Sequence, residues 1–193
     1  MEKYDILEPD CFYHIYNRGN NKENLFIEEE NYFHFLKHIK KHIIEIADIY
    51  AYCLLKNHFH LVVKIKSRSE LPEKFHAGGN LSQPFSNLFN AYTKAVNKWY
   101  EREGSLFRVR FKRERISDEN YLRNAIIYIH LNPVKHSFTE DYIHYLHSSF
   151  QSLLSEKSTL LKRKEVIELF DNKENLIFVH NEIFKKGYYE DFD

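Results

Sequence analysis

The sequence has few cysteines and no long apolar run. Its two cysteines, Cys11 and Cys53, are far apart and fit no zinc-binding or redox spacing, so we expect two reduced thiols. No stretch approaches the roughly 18 consecutive apolar residues that a membrane-spanning helix needs. The acidic N-terminus also lacks the apolar core of a signal peptide. These absences argue against a disulfide-stabilised secreted domain and a membrane protein, and they predict a cytoplasmic location.

The sequence also lacks a net charge, because 28 basic residues balance 28 acidic ones. The charges are nevertheless unevenly distributed. Residues 139–193 contain 7 basic and 11 acidic residues, a net charge of −4, so residues 1–138 carry +4. Six basic residues are concentrated between Arg102 and Arg115. Because a local basic strip matters more for phosphate binding than the total charge, the composition is compatible with a nucleic-acid partner.

Hydrophobic periodicity predicts the element order βαββαβ followed by a further helix. Alternating, β-branched and aromatic segments predict strands over 11–18, 49–55, 59–65 and 106–116. Apolar residues at helical spacing predict helices over 31–44, 81–102 and 117–132, and Pro133 should end the last of these. We therefore expect an α+β fold, a ferredoxin-like βαββαβ sandwich with an antiparallel sheet.

The acidic end of the chain lies beyond this pattern. Short helices are predicted there over 143–154, 165–170 and 174–184. The chain of 193 residues is long enough for one well-buried core and a small appendage. Its content of 43% hydrophobic residues is that of an ordinary globular protein. We predict a core over residues 1–138 and a helical, acidic C-terminal extension over residues 139–193 that packs on it.

Two histidines alternate in the third predicted strand. His58 and His60 are two residues apart, so both rings should project from one sheet face while Phe59 points into the core. Two imidazoles on one face could form half of a divalent metal site. The same spacing is more often found on a solvated strand face, so the pair alone does not establish a metal site.

The last predicted core helix places Tyr128 and Asn132 four residues apart, on one helical face. Isoleucines surround Tyr128, so in isolation it is best interpreted as a packed aromatic residue whose hydroxyl lies at the rim. Asn132 precedes Pro133, which by itself indicates an ordinary helix end.

Four stretches together change this interpretation, because they resemble the HUH-class single-tyrosine transposases of single-strand insertion sequences. The resemblance is strongest to the REP-associated tyrosine transposases. The stretches are YNRGNNKENLF at 16–26, YCLLKNHFHLVV at 52–63, GSLFRVRFK at 104–112 and YIHLNPVKH at 128–136. They occur in the order of that family, and NHFHLVV combined with YIHLNPVKH is a specific pair.

The resemblance implies the ferredoxin-like fold and a role for each matched residue. His58 and His60 would bind Mg²⁺ or Mn²⁺, with Asn132 as the third ligand. Tyr128 would be the nucleophile, and residues 1–138 would be the catalytic core. The implied reaction is metal-dependent cleavage and strand transfer of single-stranded hairpin DNA through a 5′-phosphotyrosine. A homodimer is possible, since insertion-sequence members exchange their tyrosine helices, whereas REP-associated relatives can act as monomers.

The basic strip is a candidate track for DNA. Arg108, Arg110 and Lys112 alternate in the predicted fourth strand, so they would line one of its faces. A solvated edge strand protected by charge explains the pattern equally well. Further candidates for phosphate contact are Arg18, Lys56, Asn57 and Arg113.

Two other functions compete with this interpretation. A catalytically inactive relative that binds structured single strands as a regulator would share the same motifs. A nucleotide hydrolase of the histidine-triad kind would need a third histidine where the chain has Val62. Three further histidines repeat every four residues on the first helix, which is typical of a partly solvated face and, less often, of a metal site: His34, His38 and His42.

Overall fold

The computed structural model describes residues 5–76 and 78–187. Within these residues, four antiparallel strands form one sheet in the spatial order β2-β3-β1-β4. The strands are β1 (Phe12–Arg18), β2 (Ala47–Leu55), β3 (His58–Ile65) and β4 (Lys112–Ile116). This order and direction confirm the predicted ferredoxin-like sheet. The ends of the predicted core and extension at residues 1–4 and 188–193, and residue 77 of a predicted loop, lie outside the described residues.

Two helices cover one face of the sheet, α1 (Glu29–His42) and α2 (Gln83–Trp99). Both were predicted, with ends shifted by two or three residues. Phe59 of β3 is fully buried between them, with its ring 5.0 Å from Phe35 of α1 and 5.5 Å from Phe89 of α2. Burying a phenylalanine in this way contributes about 1.5–3 kcal/mol to stability. Large aromatic residues therefore form part of the core between the sheet and these helices.

The opposite face of the sheet is covered by α3 (Glu119–Lys135), which packs against β2 and β3. Asp118 caps its N-terminus by accepting a hydrogen bond from Tyr121 N at 2.9 Å. The predicted helix end was wrong, because Pro133 lies inside the helix. Its missing N–H removes one intrahelical hydrogen bond in the last turn, and His136 N still bonds to Asn132 O at 3.0 Å.

The predicted fourth strand is also too long, since only Lys112–Ile116 is a strand. The backbone of Arg110 has a φ of 89°, a left-handed value that breaks the strand. Phe107 and Phe111 are both buried against Phe89, at 5.0 and 5.4 Å, while Val109 between them is 84% exposed. A bend lets both phenylalanines reach the core, and it projects the arginines and Val109 into solvent.

The C-terminal segment contains α4 (Phe150–Leu154), α5 (Arg163–Leu169) and α6 (Lys173–Lys186). The helix predicted over 143–154 is wrong for residues 143–149, which form turns. They are held against β2, where Ser149 Oγ accepts a hydrogen bond from Tyr52 N at 2.9 Å. The division of the chain after residue 138 stays a prediction. Among the described residues, no helix has the length and apolarity needed to cross a membrane.

Candidate active site

Strand register brings the predicted site residues to the sheet face that α3 covers. In the antiparallel β1–β3 pair, Arg18 lies opposite His58, and Tyr16 lies opposite His60. Directly opposed residues share a face, so these four side chains point the same way. Tyr128 of α3 lies above them, with its ring perpendicular to that of His60 and 5.8 Å away. The fold therefore places Tyr128 beside His60.

A hydrogen bond at Nδ1 sets the orientation of each histidine ring. His58 Nδ1 donates to Asn57 Oδ1 at 2.7 Å, and His60 Nδ1 lies 2.9 Å from His14 Nε2. Metal-binding histidines commonly have one nitrogen engaged in this way, which directs the other nitrogen toward the metal. Nε2 is thus the atom that each ring could offer to an ion.

The contact between His58 and Asn132 fits a cation. When Nδ1 of neutral His58 carries the hydrogen, its Nε2 bears a lone pair, and this lone pair lies 3.2 Å from Asn132 Oδ1. Two acceptor atoms at this distance repel unless a hydrogen or a metal ion lies between them. Adjacent ligands of an octahedral ion, each about 2.1 Å from it, lie roughly 3 Å apart. The described residues contain no group of three His, Cys, Asp or Glu suited to a metal, so an ion here would depend on the Asn132 amide oxygen.

Tyr128 and Asn132 are buried beneath the surface. They are 3% and 0% exposed, and Asn132 Nδ2 makes no hydrogen bond within residues 5–76 and 78–187. Lys135 Nζ lies 4.7 Å from the centre of the Tyr128 ring, a cation–π contact. The tyrosine is therefore shielded from solvent and has a positive charge beside its ring.

A cleft of about 470 Å³ opens beside His58 and His60. Four of the predicted phosphate-contact residues line it: Arg18, Arg108, Arg110 and Lys112. Arg18 and Lys112 reach it from the sheet face that also bears Tyr16. Arg108 is held in place by two hydrogen bonds: its N–H donates to Arg18 O at 3.0 Å, and its carbonyl accepts from Asn17 Nδ2 at 3.2 Å. The negatively charged phosphate backbone of a nucleic acid would be attracted to this cleft.

The other three predicted contact residues lie elsewhere. Asn57 holds the His58 ring, and Lys56 is exposed in the β2–β3 turn, outside the lining of the cleft. Arg113 pairs with Ile15 in the β1–β4 register, so it belongs to the opposite sheet face. There its side chain donates to Asp5 O and lies over the Phe111 ring at 5.0 Å.

The sequence did not identify four residues that the structure places at the site: His14, Tyr16, Asn17 and His136. His14 and Tyr16 alternate with Arg18 in the predicted first strand, which was a signal that they share a face. Their proximity to His60 depends on the β1–β3 register, which the sequence pattern does not contain. His136 lies just beyond α3, with its ring 4.8 Å from that of His58.

Fold and site together define an α+β domain of the ferredoxin-like class, with a histidine pair and a tyrosine-bearing helix on one sheet face. A similar solved structure is that of a REP-associated tyrosine transposase bound to a REP hairpin. It has a TM-score of 0.62 and 19% sequence identity, over 81% of this chain and 87% of that chain. At this identity the likeness shows the fold, and it confirms at that level the resemblance predicted from the four motifs.

A second solved structure, the tRNA(His) guanylyltransferase from Saccharomyces cerevisiae, has a TM-score of only 0.38 at 12% identity, over 90% of this chain and 84% of that chain. This similarity is too low to support a conclusion. No protein-family model and no curated protein matches the sequence.

Proposed function

We propose that this chain is a metal-dependent single-strand DNA endonuclease and strand transferase that acts on hairpin DNA through Tyr128. The observation that carries the proposal is the position of Tyr128 beside His60, together with the 3.2 Å contact between His58 and Asn132. The basic cleft beside the histidines supports a DNA substrate. The similar transposase structure contains a hairpin, and the proposal extends this class of ligand to the present chain.

In the proposed reaction, the Tyr128 hydroxyl oxygen attacks a backbone phosphorus and the bond from phosphorus to the 3′-oxygen breaks. One DNA end becomes a 5′-phosphotyrosine, and the other becomes a free 3′-hydroxyl, whose proton balances the one that the Tyr128 hydroxyl loses in the attack. The new ester retains the energy of the phosphodiester bond, so a 3′-hydroxyl can later displace the tyrosine and rejoin the strand. Because Tyr128 is 3% exposed, we expect bound DNA to displace the side chains that cover it.

Three residues would hold the Mg²⁺ or Mn²⁺ ion: His58, His60 and Asn132. When bound, such an ion would polarise the scissile phosphate and stabilise the charge that develops on it. Lys135, with its ammonium 4.7 Å from the ring centre, would favour negative charge on the phenolic oxygen during the attack. Tyr128 lies beside His60 of its own chain, so the proposed site can be assembled from the residues of one copy.

The test is a denaturing gel assay with labelled single-stranded hairpins taken from palindromic repeats that flank the gene, in Mg²⁺, Mn²⁺ or EDTA. Tyr128→Phe is compared with wild type and with Tyr121→Phe, a control on the same helix. We expect a metal-dependent, denaturation-stable adduct in wild type and in Tyr121→Phe, and none in Tyr128→Phe. An adduct of undiminished yield in Tyr128→Phe would contradict the assignment of the nucleophile.

A second candidate function is a DNA-binding regulator without catalysis. The observation that favours it is the burial of Tyr128, since a residue that never meets a phosphate can stay covered. This function predicts hairpin binding without an adduct in either metal, and equal binding by wild type and Tyr128→Phe. The same gel assay, combined with a binding titration, separates the two functions.

A further inference from the structure

A third histidine is buried against His60, one of the proposed metal ligands. His14 of β1 is 0% exposed, and its Nε2 lies 2.9 Å from Nδ1 of His60, which is 1% exposed. The β1–β3 register explains this contact. Tyr16 lies opposite His60, and His14 lies two residues further along β1 on the same face.

This contact joins two ring nitrogens, so one carries the hydrogen and the other the lone pair. If His60 Nδ1 is the donor, then His60 Nε2 keeps a lone pair and can bind a cation. If His14 Nε2 is the donor, then neutral His60 carries its hydrogen on Nε2 and cannot bind one there. The direction of this hydrogen bond therefore decides whether His60 can be a ligand through Nε2.

Stacking also restrains the plane of the His60 ring. Tyr16 is stacked on His60 at 5.5 Å with an interplanar angle of 20°, and on His14 at 4.6 Å with an angle of 24°. The Tyr16 hydroxyl donates to Glu114 Oε1 at 2.7 Å, which ties this ring to β4. His60 is thus held by a hydrogen bond at one edge and by a stacked ring on its face.

We propose that His14 is a positioning residue, which accepts a hydrogen bond from His60 Nδ1 and keeps His60 in the tautomer whose Nε2 binds the divalent metal. His58 has the equivalent partner in Asn57 Oδ1, at 2.7 Å. This proposal rests on the proposed metal-dependent function. A neutral imidazole acceptor adds no negative charge beside the ion, unlike the carboxylates that often take this role, so the attraction of the ion for phosphate is preserved.

Two variants of His14 distinguish the effect of its hydrogen bond from the effect of its ring stacking. His14→Phe retains an aromatic ring that can stack on Tyr16 but removes the acceptor, whereas His14→Gln restores an acceptor without the ring. Calorimetric titration of the full chain with Mn²⁺ should show about 10–100-fold weaker binding for His14→Phe and near wild-type binding for His14→Gln. His144→Phe, at an exposed histidine, is the control and should bind as wild type does. Circular dichroism establishes that each variant is folded.

A double variant shows whether His14 acts through His60. In a His60→Ala background, adding His14→Phe should weaken Mn²⁺ binding no further, because the ring that His14 positions is absent. A further loss would mean that His14 is itself a ligand, and it would overturn the positioning role. Unchanged affinity of His14→Phe in the wild-type background would overturn it as well.

The tautomer of His60 is a readout that needs neither metal nor a variant of His14. Proton–nitrogen correlation spectra of the metal-free protein, assigned with His60→Ala, should show His60 with its hydrogen on Nδ1. A hydrogen on Nε2 would overturn the proposal. If wild type binds no Mn²⁺, the proposed metal-dependent function fails, but an Nδ1 hydrogen would still support the orientation of His60 by His14.

Discussion

At the level of single residues, the chemistry depends on which atom of each side chain faces the site. His58 directs Nε2 toward the amide oxygen of Asn132 because its Nδ1 is bound to Asn57. Asn132 in turn is fully buried, and its Nδ2 lacks a hydrogen bond within the described residues. A buried amide donor without an acceptor costs about 1–3 kcal/mol. We therefore expect Asn132 to lower the stability of the metal-free fold.

Asn132→Leu should separate stability from metal binding. Leucine has a similar size and no polar atoms, so we expect the free energy of unfolding of the metal-free protein to rise by about 1 kcal/mol. The same variant should lose the stabilisation that Mn²⁺ gives to wild type, because a ligand is gone. Urea unfolding with and without Mn²⁺ measures both effects. A variant that is less stable than wild type without metal would show that Asn132 is a structural residue instead.

At the level of elements, a chain of buried hydrogen bonds joins α6 and α3 to β2. His180 Nδ1 donates to Leu176 O at 2.7 Å, so its Nε2 accepts from His130 Nδ1 at 2.9 Å. His130 Nε2 then accepts from Ser149 Oγ at 2.8 Å, and Ser149 Oγ accepts from Tyr52 N at 2.9 Å. Each hydrogen bond in this series has a defined donor and acceptor. This arrangement requires both histidines to be neutral.

Protonation of the two histidines in this series of hydrogen bonds should destabilise the fold in mild acid. Burial lowers the pKa of His180 from 6.5 to about 4, so the folded protein binds fewer protons than the unfolded chain. The contribution of neutral His180 to the free energy of unfolding is fully present above pH 6.5. It is lost as the pH falls from 6.5 to about 4, and the loss amounts to at most about 3 kcal/mol. Urea unfolding at pH 7.5, 5.5 and 4.5 measures this loss.

His180→Gln is the matched control for the pH dependence, because it removes the titrating ring from the helix that carries it. The variant should be less stable than wild type at pH 7.5 and should lose less stability between pH 7.5 and pH 4.5. An equal loss in both proteins would assign the acid sensitivity to other groups. Because α3 also carries Tyr128, the hydrogen-bond chain links the C-terminal helix to the helix of the proposed nucleophile.

At the level of the whole molecule, the structure shows where the unevenly distributed basic residues lie. The basic residues between Arg102 and Arg115 do not form one track, because the bend at Arg110 and the register of β4 divide them. Arg108 and Arg110 line the cleft, whereas Arg113 belongs to the opposite sheet face. Only part of the basic strip is therefore available to DNA bound at the proposed site.

Replacing both Arg108 and Arg110 by alanine should weaken hairpin binding and its dependence on salt. Each phosphate contact that is lost lowers the slope of log affinity against log salt by about 0.7 for a single strand. Arg113→Ala is the matched control, since it removes a charge from the same stretch of sequence but not from the cleft. Fluorescence anisotropy over several salt concentrations measures the slopes. Equal slopes for wild type and the double variant would show that DNA binds elsewhere.

The local sequence pattern was sufficient to predict most of the strands and helices of this protein. Residues that alternate or recur at helical spacing predicted all four strands and the three helices around the sheet, because burial of one face follows from that periodicity. The spacing of His58 and His60 indicated one sheet face, and the motifs around them and Tyr128 indicated a ferredoxin-like fold. The similar transposase structure confirms that resemblance at the level of the fold.

Contacts between distant segments depended on the tertiary structure. Strand register decided that His14, rather than a carboxylate, lies against His60, because a shift of one residue would turn it to the other face. Burial of Phe107 and Phe111 decided the bend that ends the predicted strand early and divides the basic residues. The position of Pro133 in a last turn decided that α3 continues past Asn132. Each of these outcomes is a balance of packing among segments far apart in the chain, and a local pattern does not contain that balance.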